Sequence, residues 1–314
     1  MAAFVELKEI PGGMSEVFGL PQPQWEIIYR YMKERFAGET WAPAWNDIAE
    51  QWLGLLAERM GPEFRLRRSS RFFTLDAYPD KMGTSLITFA NATLNTLETI
   101  FSPLGRPATA GQRVIIFFAT RRDYYSYVSC YVPDGASEAT SGGMYLRRPY
   151  SYRHTICPPK NEHELRHTVA HELTHHVLDH LRLPLWLEEG LAKMMEERIT
   201  GFGYFRLDRE MVRRHRDYWT NNGLSDFWLG RSYRDPEGQE LSYNLSQVFT
   251  RRIASDWPKR IMAFVRDATY KDGGDASARQ HLGVSLQKLA ESFLGPGDWE
   301  FRPPEFKPPA GESQ

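Results

Sequence analysis

Cysteine is scarce in this chain of 314 residues: there are two, Cys130 and Cys157, so a small secreted scaffold held by several disulfides is excluded. A single bridge between the two stays open. Long apolar runs are missing as well, since no stretch of eighteen or more apolar residues offers a membrane-spanning helix. The opening Met1-Ala2-Ala3-Phe4-Val5-Glu6 lacks a basic start followed by an apolar run, so it does not read as a secretory signal. An excess of charge of either sign is also absent. Lys and Arg number 39 against 40 Asp and Glu, and a net charge of −1 gives no reason to expect a nucleic-acid partner or an acidic membrane. The basic clusters Arg65-Leu66-Arg67-Arg68 and Arg213-Arg214-His215-Arg216 read as solvated faces. With 41% hydrophobic residues to build a core, a soluble, cytoplasmic protein is expected.

What the chain does have is histidine in one place, with seven of its nine between His154 and His180. Asn161 can act as an N-cap, with Glu164 three residues on as in a capping box, so a helix is expected to start there. Leu165, Val169, Leu173, Val177 and Leu181 form its apolar stripe, and Leu183-Pro184 should end it. Roughly opposite that stripe runs His171-Glu172-Leu173-Thr174-His175. Residues four apart stand one above the other on a helix, so His171 and His175 can point ring nitrogens at one cation. Glu172, about 100° round the helix, stands beside that cation as a candidate general base. Catalytic zinc usually takes three protein ligands, and the third is expected from Glu189, at the start of a second helix near Trp186. Glu188 is its neighbour, but two adjacent helical residues diverge too far for both to reach one ion. Gly190 favours Glu189 by letting two helices approach, which is also what ordinary helix packing asks of a glycine. His167 and His171 form a rival pair, weakened because Thr168 cannot serve as the base; His167 then sits on the rim. His163, His176 and His180 read as surface or partly buried helix residues. The plain alternative to the whole reading is a helical hairpin whose polar residues face solvent.

His-Glu-Leu-Thr-His followed by Trp186-Leu187-Glu188-Glu189-Gly190-Leu191-Ala192 resembles the peptidase MA-like group of gluzincin metalloproteases. In that pattern the glutamate immediately before the glycine is the metal ligand, here Glu189. The resemblance extends to the segment Leu241–Gln247, similar to the family's tyrosine-containing third helix, and to Leu282–Leu289, similar to its short terminal helix. It covers roughly Phe72 to Leu294, with the specific letters between His171 and Ala192. It implies Zn2+ as cofactor, a peptide or protein substrate, and Tyr243 as a hydrogen-bond donor to the developing oxyanion. Packing of that tyrosine on the core is the equal alternative, and Tyr233, His215 and Arg231 are weaker substitutes. The family also implies an edge strand at Thr140–Arg147 against which an extended substrate pairs; a hairpin strand without a ligand fits the same letters. Related aminopeptidases carry a glutamate just after this Gly-x-Met stretch, where this chain has Tyr145, which argues for an endopeptidase.

The remaining segments fill out an α+β, zincin-like architecture: a small mixed sheet with helices, then a mostly helical half, with a cleft between. Helices are expected over Gln24–Phe36, Trp45–Met60 and Thr84–Phe101, a strand over Phe72–Asp76 and a buried strand over Val114–Phe118. The organisation expected is a helical leader over 1–71, a metallopeptidase domain over 72–295 and a proline-rich, disordered tail over 296–314. The leader matches nothing recognisable and could be a lid, a docking surface or a propeptide-like cover. The different-class alternative to an enzyme is a pseudo-peptidase that binds peptides through the same cleft, and a third reading is metal-assisted hydrolysis of a non-peptide bond.

Overall fold

The computed structural model describes residues 5–105, 111–131 and 142–302, the side chains of 221 and 222 excepted. The fold is mixed α+β, with a small sheet and many helices. The chain divides into two compact units. The first draws on Met1–Ser102, Arg106–Val177 and Met195–Phe202, the second on Pro103–Gly105, Leu178–Met194 and Gly203–Gln314.

The first unit opens with a hairpin, β1 (Met14–Val17) and β2 (Leu20–Pro23), followed by α1 (Trp25–Lys33) and α2 (Trp41–Met60). Next come β3 (Arg65–Arg68), β4 (Phe72–Asp76), α3 (Asp80–Ile100), β5 (Arg113–Phe117), α4 (Arg121–Tyr131), β6 (Met144–Leu146), β7 (His154–Cys157) and α5 (Glu162–Leu178). Five strands make one mixed sheet in the order β3-β4-β5-β7-β6, with β4, β5 and β7 parallel and the two outer strands antiparallel to their neighbours. The continuous apolar run read at Val114 to Phe118 is a central strand buried along its length, as parallel strands covered on both faces require. Thr140 and Ser141 lie outside the described residues, but the glycine-led strand that follows them is present as β6, at the sheet edge.

Residues 1–71 are not a layer apart. Ile48, Trp52, Leu53 and Leu56 of α2 are fully buried in one hydrophobic cluster with Phe73 and Leu75 of β4 and Val114 and Ile116 of β5. β3 of the same segment pairs with β4. Of the arginines of β3, Arg65 and Arg68 lie on the expected solvated face, where they pair with Asp80 at 2.5 Å and with Glu50, whereas Arg67 turns from it to pair with buried Asp76 at 3.0 Å. Cys130 and Cys157 are both free.

The helix α6 (Leu185–Thr200) runs unbroken through the division, giving its first turns to the second unit and its last to the first. Within the second unit follow α7 (Arg209–Asn222), α8 (Ser225–Trp228), α9 (Gly238–Asp256), α10 (Ile261–Asp267), α11 (Asp275–Ser277) and α12 (Leu286–Leu294). Trp186 is the centre of its core, with Trp228 at 5.6 Å and Phe249 at 6.1 Å between ring centroids, both edge-on, as aromatic quadrupoles prefer. Trp299, in a segment expected to have little to bury, is 3% exposed, and its carbonyl accepts from the Trp228 indole at 2.8 Å. The prolines beyond it lie outside the described residues. Among the described residues no helix is long and apolar enough to cross a membrane.

His154 shows how tightly the first unit is closed. Its Nδ1 lies 2.8 Å from the Tyr152 carbonyl, which can only accept, so Nε2 accepts from the Tyr127 hydroxyl at 2.8 Å. The edge of Trp52 covers the ring. Burial pushes this imidazole down from 6.5 to about 4. The folded value lies below the unfolded one, so the contribution to stability is complete above pH 6.5 and is lost as the pH falls toward 4, by about 3 kcal/mol. Urea unfolding of wild type and His154→Gln at pH 7 and pH 4.5 checks this. The variant is expected to lose distinctly less stability on acidification, and parallel losses would refute the assignment.

Candidate metal centre

The capping box at the head of α5 forms as its letters ask: Glu164 donates its backbone N–H to Asn161 Oδ1 at 3.0 Å, and Asn161 donates its own to Glu164 Oε2 at 3.3 Å. Leu165, Val169, Leu173 and Val177 are all buried, so the apolar stripe faces protein as expected. The helix stops at Leu178, ahead of the expected proline stop, and Leu181 lies beyond it; Pro184 instead starts α6 by accepting from the N–H groups of Leu187 and Glu188.

On the other face, His171 and His175 bring their Nε2 atoms to 3.1 Å. Two nitrogens bound at 2.0–2.1 Å to one tetrahedral cation stand roughly 3.3 Å apart, so the pair already has about the bite that a zinc ion needs. Glu189 completes a trio: His171, His175 and Glu189 each offer one ligand atom, and all three atoms lie within 4.8 Å of one another. Among the described residues this is the one such group of His, Cys, Asp or Glu, and Glu188 does not belong to it. Two imidazoles and a carboxylate, with Glu189 8% and His175 7% exposed, suit zinc by donor type and by burial.

Glu196 was not foreseen. It lies on α6 two helical turns beyond Glu189, hence on nearly the same face. Its Oε2 stands 3.2 Å from His171 Nδ1 and its Oε1 3.2 Å from His167 Nδ1. A carboxylate on Nδ1 fixes the tautomer that leaves Nε2 as the ligating atom and raises its basicity. The two-turn spacing of Glu189 and Glu196 is the sequence signal that could have found it. His167 accordingly belongs to this carboxylate bridge, not to a rival His167/His171 pair.

Glu172 is 6% exposed and lies against the strand side of α5. A methyl group placed on Gly143 would stand 3.4 Å from Glu172 Oε1, 3.1 Å from the Ile156 carbonyl and only 2.3 Å from Thr168 Cγ2. The bare backbone ahead of β6 therefore passes directly beside this carboxylate. Cys157 is near as well, but burial holds its thiol well above the usual range, with the charge of Glu172 adding to the effect. His176 is buried edge-on to Tyr145, and burial, with Arg113, Arg153 and Arg71 contributing, keeps its ring neutral. His163 and His180 are exposed.

In the second unit, Tyr243 is half-buried on α9, with its ring edge-on to Tyr233 at 5.2 Å. Burial raises the Tyr233 phenol well above its usual range, and the charges of Glu189 and Tyr243 add to this, so it remains a protonated donor; its hydroxyl bonds that of Ser246. His215 is already used: Trp219 donates to its Nδ1 at 3.0 Å, and its Nε2 meets Asn244 Oδ1 at 2.9 Å. Arg231 pairs with Asp226 at the surface. The two tyrosines are left as donors of interest.

No family model matches the chain, and no curated protein matches it either.

Gly190 has a measurable role in setting α6 on α9. A methyl group there would fall 2.0 Å from Thr250 Oγ1 and 2.6 Å from the Ser246 carbonyl. Gly190→Ala is expected to cost about 1–3 kcal/mol, read as a lowered urea midpoint. Adding Thr250→Ala should not restore it, because the backbone carbonyl remains; full restoration would show that the close approach is not needed.

Proposed function

We propose that the chain is a zinc-dependent metallopeptidase of gluzincin type, with a zincin-like arrangement of helices and sheet and with endopeptidase rather than aminopeptidase action. The observation that carries the reading is the convergence of three ligand atoms within 4.8 Å, from His171, His175 and Glu189, beside the buried carboxylate of Glu172. Zinc held there supplies a Lewis acid for the scissile carbonyl and makes water acidic near pH 7. Glu172 takes the water proton and returns it to the leaving amine, a role that suits a carboxylate shielded from bulk solvent. Glu196 holds His171 by Nδ1. Tyr243 donates to the oxyanion; one well-placed donor of this kind is worth about 3–4 kcal/mol.

The peptide substrate lies along β6, whose outer edge offers backbone groups for an added strand. Gly142 and Gly143 lead that strand past Glu172, so a backbone paired there is delivered to the base. Tyr145, where the related aminopeptidases hold a free amino terminus with a glutamate, leaves room for chain on both sides of the cut. Two free cysteines accord with a reducing, cytoplasmic setting.

Elemental mass spectrometry of the purified protein tests the centre. About one zinc per chain is expected in the wild type, with strong depletion in His171→Ala and Glu189→Ala. Glu172→Gln should keep the metal and abolish hydrolysis of an unstructured protein substrate; a wild type that neither carries nor takes up zinc defeats the proposal. The part assigned to Glu196 has its own readout. Glu196→Ala should weaken zinc retention against a competing chelator by about 10–100-fold, and unchanged retention would reduce Glu196 to a packing residue.

A further inference from the structure

We propose that His163 and His167 form a second, outer binding site for a borderline divalent cation such as zinc, distinct from the group of His171, His175 and Glu189. The two residues are one turn apart on α5, in the same row as the inner pair. Their ring centroids are 4.8 Å apart with planes at 59°, against 4.9 Å and 67° for His171 and His175. The pairing of rings seen in the inner pair is thus repeated one step toward the head of the helix.

Three further observations give the outer pair the character of a site. His163 is exposed, so a hydrated cation reaches it from solvent. His167 is 6% exposed, and its Nδ1 is held by Glu196 Oε1 at 3.2 Å and lies 3.4 Å from Thr200 Oγ1. That leaves Nε2 as the ligating atom with a carboxylate behind the ring, the support that metal-binding histidines ordinarily have. Phe202 packs edge-on against both imidazoles, at 6.1 and 6.3 Å, and limits their rotation.

Imidazole donors select zinc, copper or nickel over magnesium and calcium. With two protein nitrogens, and at the positive end of the helix dipole, the outer site is the weaker one. Glu196 touches His167 with one oxygen and His171 with the other, so one carboxylate supports both sites. The inference does not depend on the peptidase reading, since it would hold for a chain with no catalytic activity.

Calorimetric titration of metal-free protein with zinc chloride tests it, using wild type, His163→Ala, His171→Ala and the double variant. The wild type is expected to take two equivalents of unequal affinity. His163→Ala loses the weaker one, His171→Ala keeps only the weaker one, and the double variant takes none. Equal stoichiometry in wild type and His163→Ala overturns the outer site, as does a weak equivalent that persists in the double variant. A wild type with a single weak equivalent, lost in His163→Ala and indifferent to His171→Ala, would uphold the outer site while removing the inner centre.

Discussion

A buried carboxylate survives only where donors surround it, and Glu196, 7% exposed, meets that condition through two imidazoles of the preceding helix. That requirement fixes the roll of α6 about its axis. Once Glu196 faces His167 and His171, Glu189 two turns earlier faces the same way, and Glu188 cannot. At the head of the same helix Gly190 permits only one setting, because Thr250 and the Ser246 carbonyl leave no space for a side chain. Electrostatics at one end and sterics at the other thus agree on where Glu189 points.

The helix before it is under the opposite strain. α5 buries its apolar stripe and also most of its polar face: His167, Thr168, Glu172, Thr174, His175 and His176 are all below a tenth exposed. Each such group left without a partner costs about 1–3 kcal/mol. Some partners are local, as where Thr174 donates to the Ala170 carbonyl at 2.8 Å. Others are the imidazoles themselves. A helix required only for packing would place leucine or alanine at several of these positions; polar groups concentrated at such cost favour a site that uses them.

The histidine pair and the capping box were legible in the sequence because each is a matter of spacing along one helix, and Glu189, on the next helix, through the letters around Gly190. So was the central strand at Val114, written in consecutive β-branched and aromatic letters. The short strand His154–Cys157 was not: its alternation is weak, and its burial is imposed by β5 on one side and β6 on the other. The helix α4, with four tyrosines, lacks the apolar period that would have announced it. Glu196 was readable as a position but not as a role, since its value depends on a tautomer set in another helix. Tyr233 and Tyr243 show the same limit, because a phenol that packs and a phenol that donates have identical letters. The proximity of Gly143 to Glu172 likewise belongs to the sheet.

The first seventy residues bear on the site more than their lack of a motif suggests. Ile48, Trp52, Leu53 and Leu56 are fully buried against the sheet. Each of these side chains contributes about 2 kcal/mol of apolar burial to that core. A cover meant to be released would not supply the core. Trp52 also covers His154, the first residue of β7, and the last residue of that strand, Cys157, feels the charge of Glu172. β7 in turn holds β6 in register, from Met144 against Ile156 to Leu146 against His154. The segment therefore acts as a foundation: it fixes the strand that positions the glycine edge beside the proposed base, and loss of it would reach the site through the sheet and not through an uncovered cleft.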